Sequence, residues 1–75
     1  MEKQAMPFDA LDKSKGKRVV IEMKGGKQYV GVLSAWDPHI NVVLADAEER
    51  ENNEVKRKVG TVFIRGDTIT LIFPD

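Results

Sequence analysis

The sequence contains no cysteine, so neither a disulfide nor a thiolate metal site can stabilise it. Its single histidine, His39, cannot build a multi-histidine site, and we expect no metal and no other cofactor. A chain of 75 residues makes one domain at most, and a domain of this size buries only about 60% of its unfolded surface. Small domains without disulfides or metals commonly gain stability from partner subunits, so the composition favours an oligomer.

Long apolar runs are also missing. No apolar stretch approaches the roughly 20 residues that a membrane-spanning helix needs. The first nine residues, MEKQAMPFD, begin polar and lack the apolar core of a signal peptide. The two absences predict a cytoplasmic protein that does not contact a membrane.

The sequence also has no excess of positive or negative charge, because 12 basic residues balance 12 acidic ones. Nucleic-acid-binding proteins are often strongly basic, so the total charge counts mildly against that function. The charges are nevertheless segregated: residues 13–27 hold six Lys or Arg and one Glu, whereas residues 46–54 hold five carboxylates and one Arg. This distribution predicts either one basic and one acidic surface or simply solvated hairpin ends.

A short helix is predicted near the N-terminus, over about residues 7–14. Pro7 suits the first helical position, and Gly16 can end the helix. A helix this short does not persist alone in water, so it must dock on the rest of the domain. Phe8 and Leu11 lie three positions apart and are therefore predicted to make this contact.

Alternation of apolar and polar residues predicts five antiparallel strands after the helix. They are expected over about residues 17–23, 27–36, 40–45, 55–64 and 68–73. Gly25-Gly26 predicts a two-residue hairpin turn, Gly31 predicts a sharp bend, and residues 46–53 predict a polar loop tip. Five strands in so few residues predict an all-β domain, a small and strongly bent open barrel.

The last two predicted strands carry long, apolar, β-prone side chains, namely Val62, Ile64, Ile69, Leu71 and Phe73. Free sheet edges of this composition promote aggregation. Pairing one edge with the edge of another copy removes that hazard, and such a head-to-tail contact closes into a ring where the rotation permits. The sequence therefore predicts a homo-oligomeric ring joined through the edges of the last two strands.

Two segments, over about residues 15–49 and 59–74, resemble the bipartite motif of the Sm and Sm-like (Lsm) family. Their distinctive residues are Gly31, Leu33, Asp37, His39 and Asn41 in the first segment, and Gly60, Arg65, Gly66 and Asp67 in the second. Because these segments and the helix cover almost the whole chain, residues 1–75 are interpreted as one Sm-like domain.

The triplet Arg65-Gly66-Asp67 is similar to that of archaeal and eukaryotic members, whereas bacterial members carry a Tyr-Lys-His type motif in its place. The short loop, the minimal tails and the histidine resemble archaeal members in particular. This resemblance implies a ring, heptameric or in some cases hexameric, that binds uridine-rich single-stranded RNA at its inner rim. Such a ring would act as an RNA chaperone or as a ribonucleoprotein scaffold.

The resemblance also implies the residues of an RNA site. The turns that carry His39 and Arg65 would meet, and a uracil ring would stack between the flat imidazole and the planar guanidinium. Asn41 would offer a donor and an acceptor to the uracil edge, and Asp67 would orient Asn41 or Arg65. The small Gly66 would permit close approach of the backbone to the base.

Asp37 is expected to brace its own turn through backbone N–H groups.

Two other functions stay open at this point. A protein-interaction barrel that binds no RNA could use the same fold and edges, although it would not need the polar residues of the two turns. A small nuclease could use Asp37 and His39 as acid and base. No nucleophile, metal cluster or phosphate-cradling loop accompanies them in the sequence, so we expect no enzymatic activity.

Overall fold

The computed structural model describes residues 7–75, with side chains from residue 11 onward. One helix precedes five strands: α1 (Pro7–Ser14), β1 (Arg18–Met23), β2 (Gln28–Trp36), β3 (Val42–Glu51), β4 (Glu54–Ile64) and β5 (Ile69–Pro74). A short 3₁₀ helix, Gly66–Thr68, connects β4 to β5. The predicted order of one helix and five strands is therefore confirmed.

The strands form one antiparallel sheet in the order β4-β3-β2-β1-β5. Neighbouring strands follow the chain except for β5, which returns to pair with β1. In this order β4 and β5 are the two edges of the sheet. The all-β, open architecture predicted from the sequence is thus confirmed, including the strands that were expected to form the edges.

The irregularity predicted in the second strand lies at Gly31, which is buried and where the pairing of β2 with β3 shifts. A Cβ at this position would lie 2.8 Å from the Ala45 carbonyl oxygen and 3.0 Å from the Ala47 Cα. Real Cβ atoms do not approach backbone so closely, so only glycine lets β3 come this close to β2. The sheet can therefore fold sharply over its own core.

A single apolar core fills the bent sheet. Its buried members are Leu11, Val19, Ile21, Leu33, Val42, Leu44, Ala47 and Ile64, here called the core cluster. Leu11 is the contribution of α1, so the helix docks as predicted; the contact predicted for Phe8 lies outside the described side chains. Tyr29 and Trp36 are half-buried and pack against the same cluster.

The prediction of a loop tip over residues 46–53 is wrong. β3 continues to Glu51 and β4 begins at Glu54, which leaves only Asn52-Asn53 as a turn. Both asparagines have positive φ, 54° and 63°, as a tight hairpin turn requires. The alternation of buried and exposed residues changes phase at Asp46, where φ is 50° and the β3–β4 pairing shifts. Because of this bulge, the alternation of buried and exposed residues along β3 cannot be recognised in the sequence.

The turn between β1 and β2 is one residue longer than predicted. Gly25 and Gly26 both have a φ of 94°, but the Met23 N–H donates to the Lys27 carbonyl, so Lys24 belongs to the turn as well. The Lys24 N–H donates to the Thr68 carbonyl at 2.9 Å. This bond to the β4–β5 connection draws Lys24 out of the strand.

A buried carboxylate on β3 joins the neighbouring strands β2 and β4. Glu49 is only 8% exposed. Its carboxylate oxygens lie 3.2 Å from Arg57 Nε, 3.3 Å from the Tyr29 hydroxyl and 3.6 Å from Lys27 Nζ. Burial alone would raise the pKa of Glu49. The hydrogen bond from Arg57 and the charges of Lys27 and Arg57 outweigh it and lower that pKa below its ordinary value.

The lowered pKa of Glu49 predicts a pH-dependent contribution to stability. Glu49 favours the folded state above its unfolded pKa, near 4.5, and this contribution is lost as the pH falls through the lower folded value. We expect Glu49→Gln to lower the thermal unfolding temperature at neutral pH, and the difference from the wild type to shrink under acid conditions.

Calorimetry from neutral pH down to below pH 4.5, at one protein concentration, measures the difference in thermal unfolding temperature between Glu49→Gln and the wild type. Glu51→Gln, a change at an exposed carboxylate of the same strand, is the control and should have little effect. A Glu49→Gln deficit that is constant with pH would contradict the assignment.

Candidate nucleic-acid interface

Two turns meet at one end of the sheet because of the register between β3 and β4. Val42 at the start of β3 pairs with Ile64 at the end of β4. The residues just before Val42 and just after Ile64 are therefore neighbours in space. These are residues 37–41, here called the β2–β3 turn, and residues 65–68, here called the β4–β5 turn. Together they carry all six residues that the sequence singled out.

The carboxylate of Asp37 holds the β2–β3 turn together. Its Oδ1 accepts from the backbone N–H groups of His39 and Asn41 at 2.9 and 3.1 Å. Its Oδ2 accepts from the Asn41 side-chain Nδ2 at 3.0 Å. The hydrogen bond from the Asn41 side chain is the main reason that the pKa of Asp37 is lowered. The backbone contacts expected of Asp37 are present, and the bond to the Asn41 amide is an additional one.

Asn41 also joins the two turns. Its Oδ1 accepts from the Gly66 N–H at 2.8 Å. A Cβ at Gly66 would collide with the His39 carbonyl oxygen and lie 2.8 Å from the Ile40 carbonyl carbon. Glycine is therefore needed at this position by the packing of one turn on the other. A role for Gly66 toward a bound base stays a prediction.

Of the two partners predicted for Asp67, the structure shows a bond to Arg65 and none to Asn41. The Arg65 Nη2 donates to the Asp67 Oδ2 at 2.9 Å, while both side chains remain largely open to solvent, at 80% and 63% exposure. The Thr68 hydroxyl and N–H both donate to the Arg65 carbonyl, at 2.6 and 3.1 Å, and so close the turn. Among the side chains of residues 11–75, Asp67 alone is bonded to the guanidinium, which it holds from one side.

Ile40 is a functional-site residue that sequence reasoning missed. Its φ is 61°, a left-handed conformation that strains a β-branched residue. Its N–H donates to the Asp37 carbonyl at 2.9 Å, and its half-buried side chain packs on the core cluster. Ile40 therefore anchors the turn and leaves His39 and Asn41 exposed on either side of it. An apolar residue between two polar ones was the only signal in the sequence.

Five of the six predicted site residues line one shallow concavity of about 670 Å³: His39, Asn41, Arg65, Gly66 and Asp67. Ile40 and residues 69–72 of β5 complete it. Asp37 lines a neighbouring depression, and it reaches the concavity through its bond to Asn41. The concavity offers a flat imidazole, a planar guanidinium and an amide, which are the groups that hold unstacked bases of single-stranded RNA.

Among the side chains of residues 11–75, no group of three or more His, Asp or Glu is arranged to hold a metal ion. Within residues 7–75, the helix is too short to cross a membrane.

Comparison with known proteins now decides the family, since the model of the LSM domain matches residues 9–74. The chain belongs to the LSM domain family. Among its relatives, the putative snRNP Sm-like protein of Archaeoglobus fulgidus is 48% identical over 68 residues, which cover 91% of this chain and 88% of that protein. The counterpart from Thermococcus sibiricus is 46% identical, with coverages of 91% and 90%. The sequence-based identification as an archaeal-type Sm-like protein is confirmed.

Solved structures of similar fold agree with this LSM assignment. The Pyrococcus abyssii Sm protein in complex with a uridine heptamer has a TM-score of 0.91 and 39% identity, covering 95% of this chain and all of that one. A heptameric archaeal Sm protein has a TM-score of 0.83 and 34% identity, covering 89% of this chain and 97% of that one. The bent five-stranded sheet is therefore an Sm fold.

The strain at Ile40 predicts an unusual response to substitution. Ile40→Met keeps the apolar volume and removes the branch at Cβ, so we expect the free energy of unfolding to rise by roughly 0.5–1 kcal/mol. Ile69→Met is the matched control, since Ile69 is also half-buried but has an extended backbone with φ of −92°. There the same change should be neutral or cost up to about 1.5 kcal/mol.

Urea unfolding at matched protein concentrations measures both free energies, because subunit association contributes to apparent stability. Equal losses in the two variants would show that the left-handed conformation of Ile40 stores no strain.

Proposed function

We propose that this LSM protein assembles into a ring that binds uridine-rich single-stranded RNA and serves as an RNA chaperone or ribonucleoprotein scaffold in the cytoplasm. The observation that carries the proposal is the meeting of His39, Asn41 and Arg65 at one exposed concavity. The Pyrococcus abyssii Sm protein, which is similar over nearly the whole chain, was solved with a uridine heptamer, and this supports the choice of ligand.

Stacking supplies the affinity at each site. A uracil ring inserts between the imidazole of His39 and the guanidinium of Arg65, both of which lie exposed on the turns. Stacking of a base on such groups is worth about 1–3 kcal/mol by alanine substitution. Asp67 holds the guanidinium from one side, and this limits the conformational freedom that Arg65 loses when a base binds.

The two sheet edges supply the ring. β4 exposes Phe63, which is 80% accessible, and β5 exposes Leu71 and Phe73, at 53% and 38%. Large apolar side chains on unpaired edges are protected when another copy pairs with them. Because one chain offers two different edges, the contact is head to tail, and it closes into a ring where the rotation between copies permits. The similar archaeal Sm protein that is heptameric favours seven copies, with six as the alternative.

Ring formation also reconciles RNA binding with a net charge of zero. Each copy contributes one Arg65 to the same rim, but Asp67 pairs with it at 2.9 Å and Asp37 lies nearby, so stacking and hydrogen bonding supply the affinity in place of a positive field. Identical sites on one rim bind a run of uridines together, and the combined affinity exceeds that of a single site by orders of magnitude.

Removing either stacking group should weaken binding without dissolving the ring. We expect His39→Ala and Arg65→Ala each to cost roughly 1–3 kcal/mol per occupied site. Arg65→Lys keeps the charge but loses the planar surface, so it should also bind more weakly. Fluorescence anisotropy with a labelled uridine heptamer at fixed salt measures the change. Lys56→Ala, which removes an exposed cation elsewhere, is the control.

Normal binding by both alanine variants would refute the assignment of the concavity. Similar, weak binding of uridine and cytidine oligomers by the wild type would favour a protein-interaction barrel in its place. Incubation with RNA and Mg²⁺ tests the nuclease alternative, and we expect no cleavage.

The ring itself is tested at Phe63. Phe63→Asp places a charge on the exposed apolar edge of β4, and we expect it to convert the ring into smaller species. Light scattering after gel filtration should give a wild-type mass that is a multiple of the 8.4 kDa chain, and a reduced mass for the variant. Lys13→Asp, at an exposed position of α1 away from both sheet edges, should leave the mass unchanged. A monomeric wild type would contradict the assembly.

A further inference from the structure

The side-chain amide of Asn41 has only one orientation compatible with its neighbours. One end faces the Asp37 carboxylate at 3.0 Å, and a carboxylate only accepts hydrogen bonds. The other end faces the Gly66 N–H at 2.8 Å, and a backbone N–H only donates. The amino group of Asn41 must therefore point to Asp37 and its oxygen to Gly66. Reversal would set oxygen against oxygen at one end and donor against donor at the other.

Among the described residues, each end of the Asn41 amide makes one hydrogen bond and can make a second. Nδ2 has a second N–H, and Oδ1 has a second lone pair. Asn41 is exposed and lines the concavity together with His39 and Arg65, so both capacities are available to a base stacked there. The available pattern is one donor and one acceptor whose order is fixed by the protein.

Uracil and cytosine have the same shape but opposite patterns on this edge. Uracil presents the O4 acceptor beside the N3–H donor, whereas cytosine presents the N4 amino donor beside the N3 acceptor. A freely rotating amide would serve both bases equally well by turning over. A locked amide serves only one of them.

We infer that Asp37, although it lines the neighbouring depression, is a specificity-determining positioning residue that selects uracil over cytosine by locking the Asn41 amide. The inference rests on the proposed function and deepens it. It replaces Asp67 as the residue that orients Asn41, because Asp67 is bonded to Arg65. Stacking by His39 and Arg65 supplies affinity for any base, and the lock supplies the choice between the two pyrimidines.

Asp37→Asn removes the lock with little change in shape. The new side-chain oxygen still accepts from the His39 and Asn41 backbone N–H groups, as Oδ1 of Asp37 does. Its amino group then faces the amino group of Asn41, donor against donor. If Asn41 turns over, its amino group meets the Gly66 N–H, and that is equally unfavourable. Neither orientation is preferred, so the discrimination between uracil and cytosine should disappear.

Asp37→Ala separates this effect from simple damage to the turn. It removes the three hydrogen bonds that the Asp37 carboxylate accepts, but it adds no donor, so the Gly66 N–H still favours the original orientation of Asn41. A merely structural role predicts that the alanine variant is the more impaired of the two. The lock predicts that the asparagine variant loses more of the uridine preference.

The test compares the affinities of labelled uridine and cytidine heptamers for the assembled wild type, Asp37→Asn and Asp37→Ala. We expect the wild type to prefer uridine by at least about tenfold, Asp37→Asn to prefer it by less than about threefold, and Asp37→Ala to lie between them. Asp46→Asn, the same chemical change at an exposed residue outside the concavity, should keep the wild-type ratio. Light scattering on each variant identifies those that assemble, and only these are compared.

The outcomes separate the two levels of the proposal. A wild type without uridine preference would overturn the proposed function together with the lock. A wild type that prefers uridine, beside an Asp37→Asn variant whose affinities for both heptamers fall by the same factor, would overturn the lock alone. If only the alanine variant assembles, a full loss of preference in it would overturn the lock, and partial retention would support it.

Discussion

The pairing of Val42 with Ile64 is the contact on which the candidate site depends. It brings the turn that precedes β3 against the turn that follows β4, and the bond from Gly66 to Asn41 then fixes the two together. A slip of one residue between these strands would reverse the faces of β4 and separate the stacking groups. The core cluster prevents that slip, because both Val42 and Ile64 are buried in it. The geometry of the candidate site therefore relies on the same apolar packing that defines the sheet.

The order of elements was predictable because each has a local signal. Gly31 marked the irregularity in β2, and the apolar last strands marked the sheet edges. The extension of β3 and β4 was not predictable, since the bulge at Asp46 shifts the alternation by one residue and the segment is rich in charge. The burial of Glu49 was not predictable either, because its partners Tyr29 and Arg57 lie on other strands and are opposite it only in the folded register.

The candidate site also has features that the sequence could predict and others that it could not. A family resemblance located its residues, and the structure brings five of them to one concavity with Asp37 beside it. The hydrogen bonds among them could not be read from the sequence, because Asp37 and Asp67 are equally short carboxylates that follow a strand. Only the fold shows that the first is bonded to Asn41 and the second to Arg65. The left-handed backbone of Ile40 likewise follows from the anchoring of its side chain in the core and not from its residue type.

The irregularity at Gly31 has a consequence for the number of copies in a closed ring. When each copy joins the next through β4 and β5, the rotation from one copy to the next equals the angle between these two edges. That angle is set by how strongly the sheet curves, and the close approach of β3 to β2 at Gly31 is one of the places where the curvature arises. In such a ring, the circumference and the width of the central opening would therefore depend in part on a glycine that is buried within each copy.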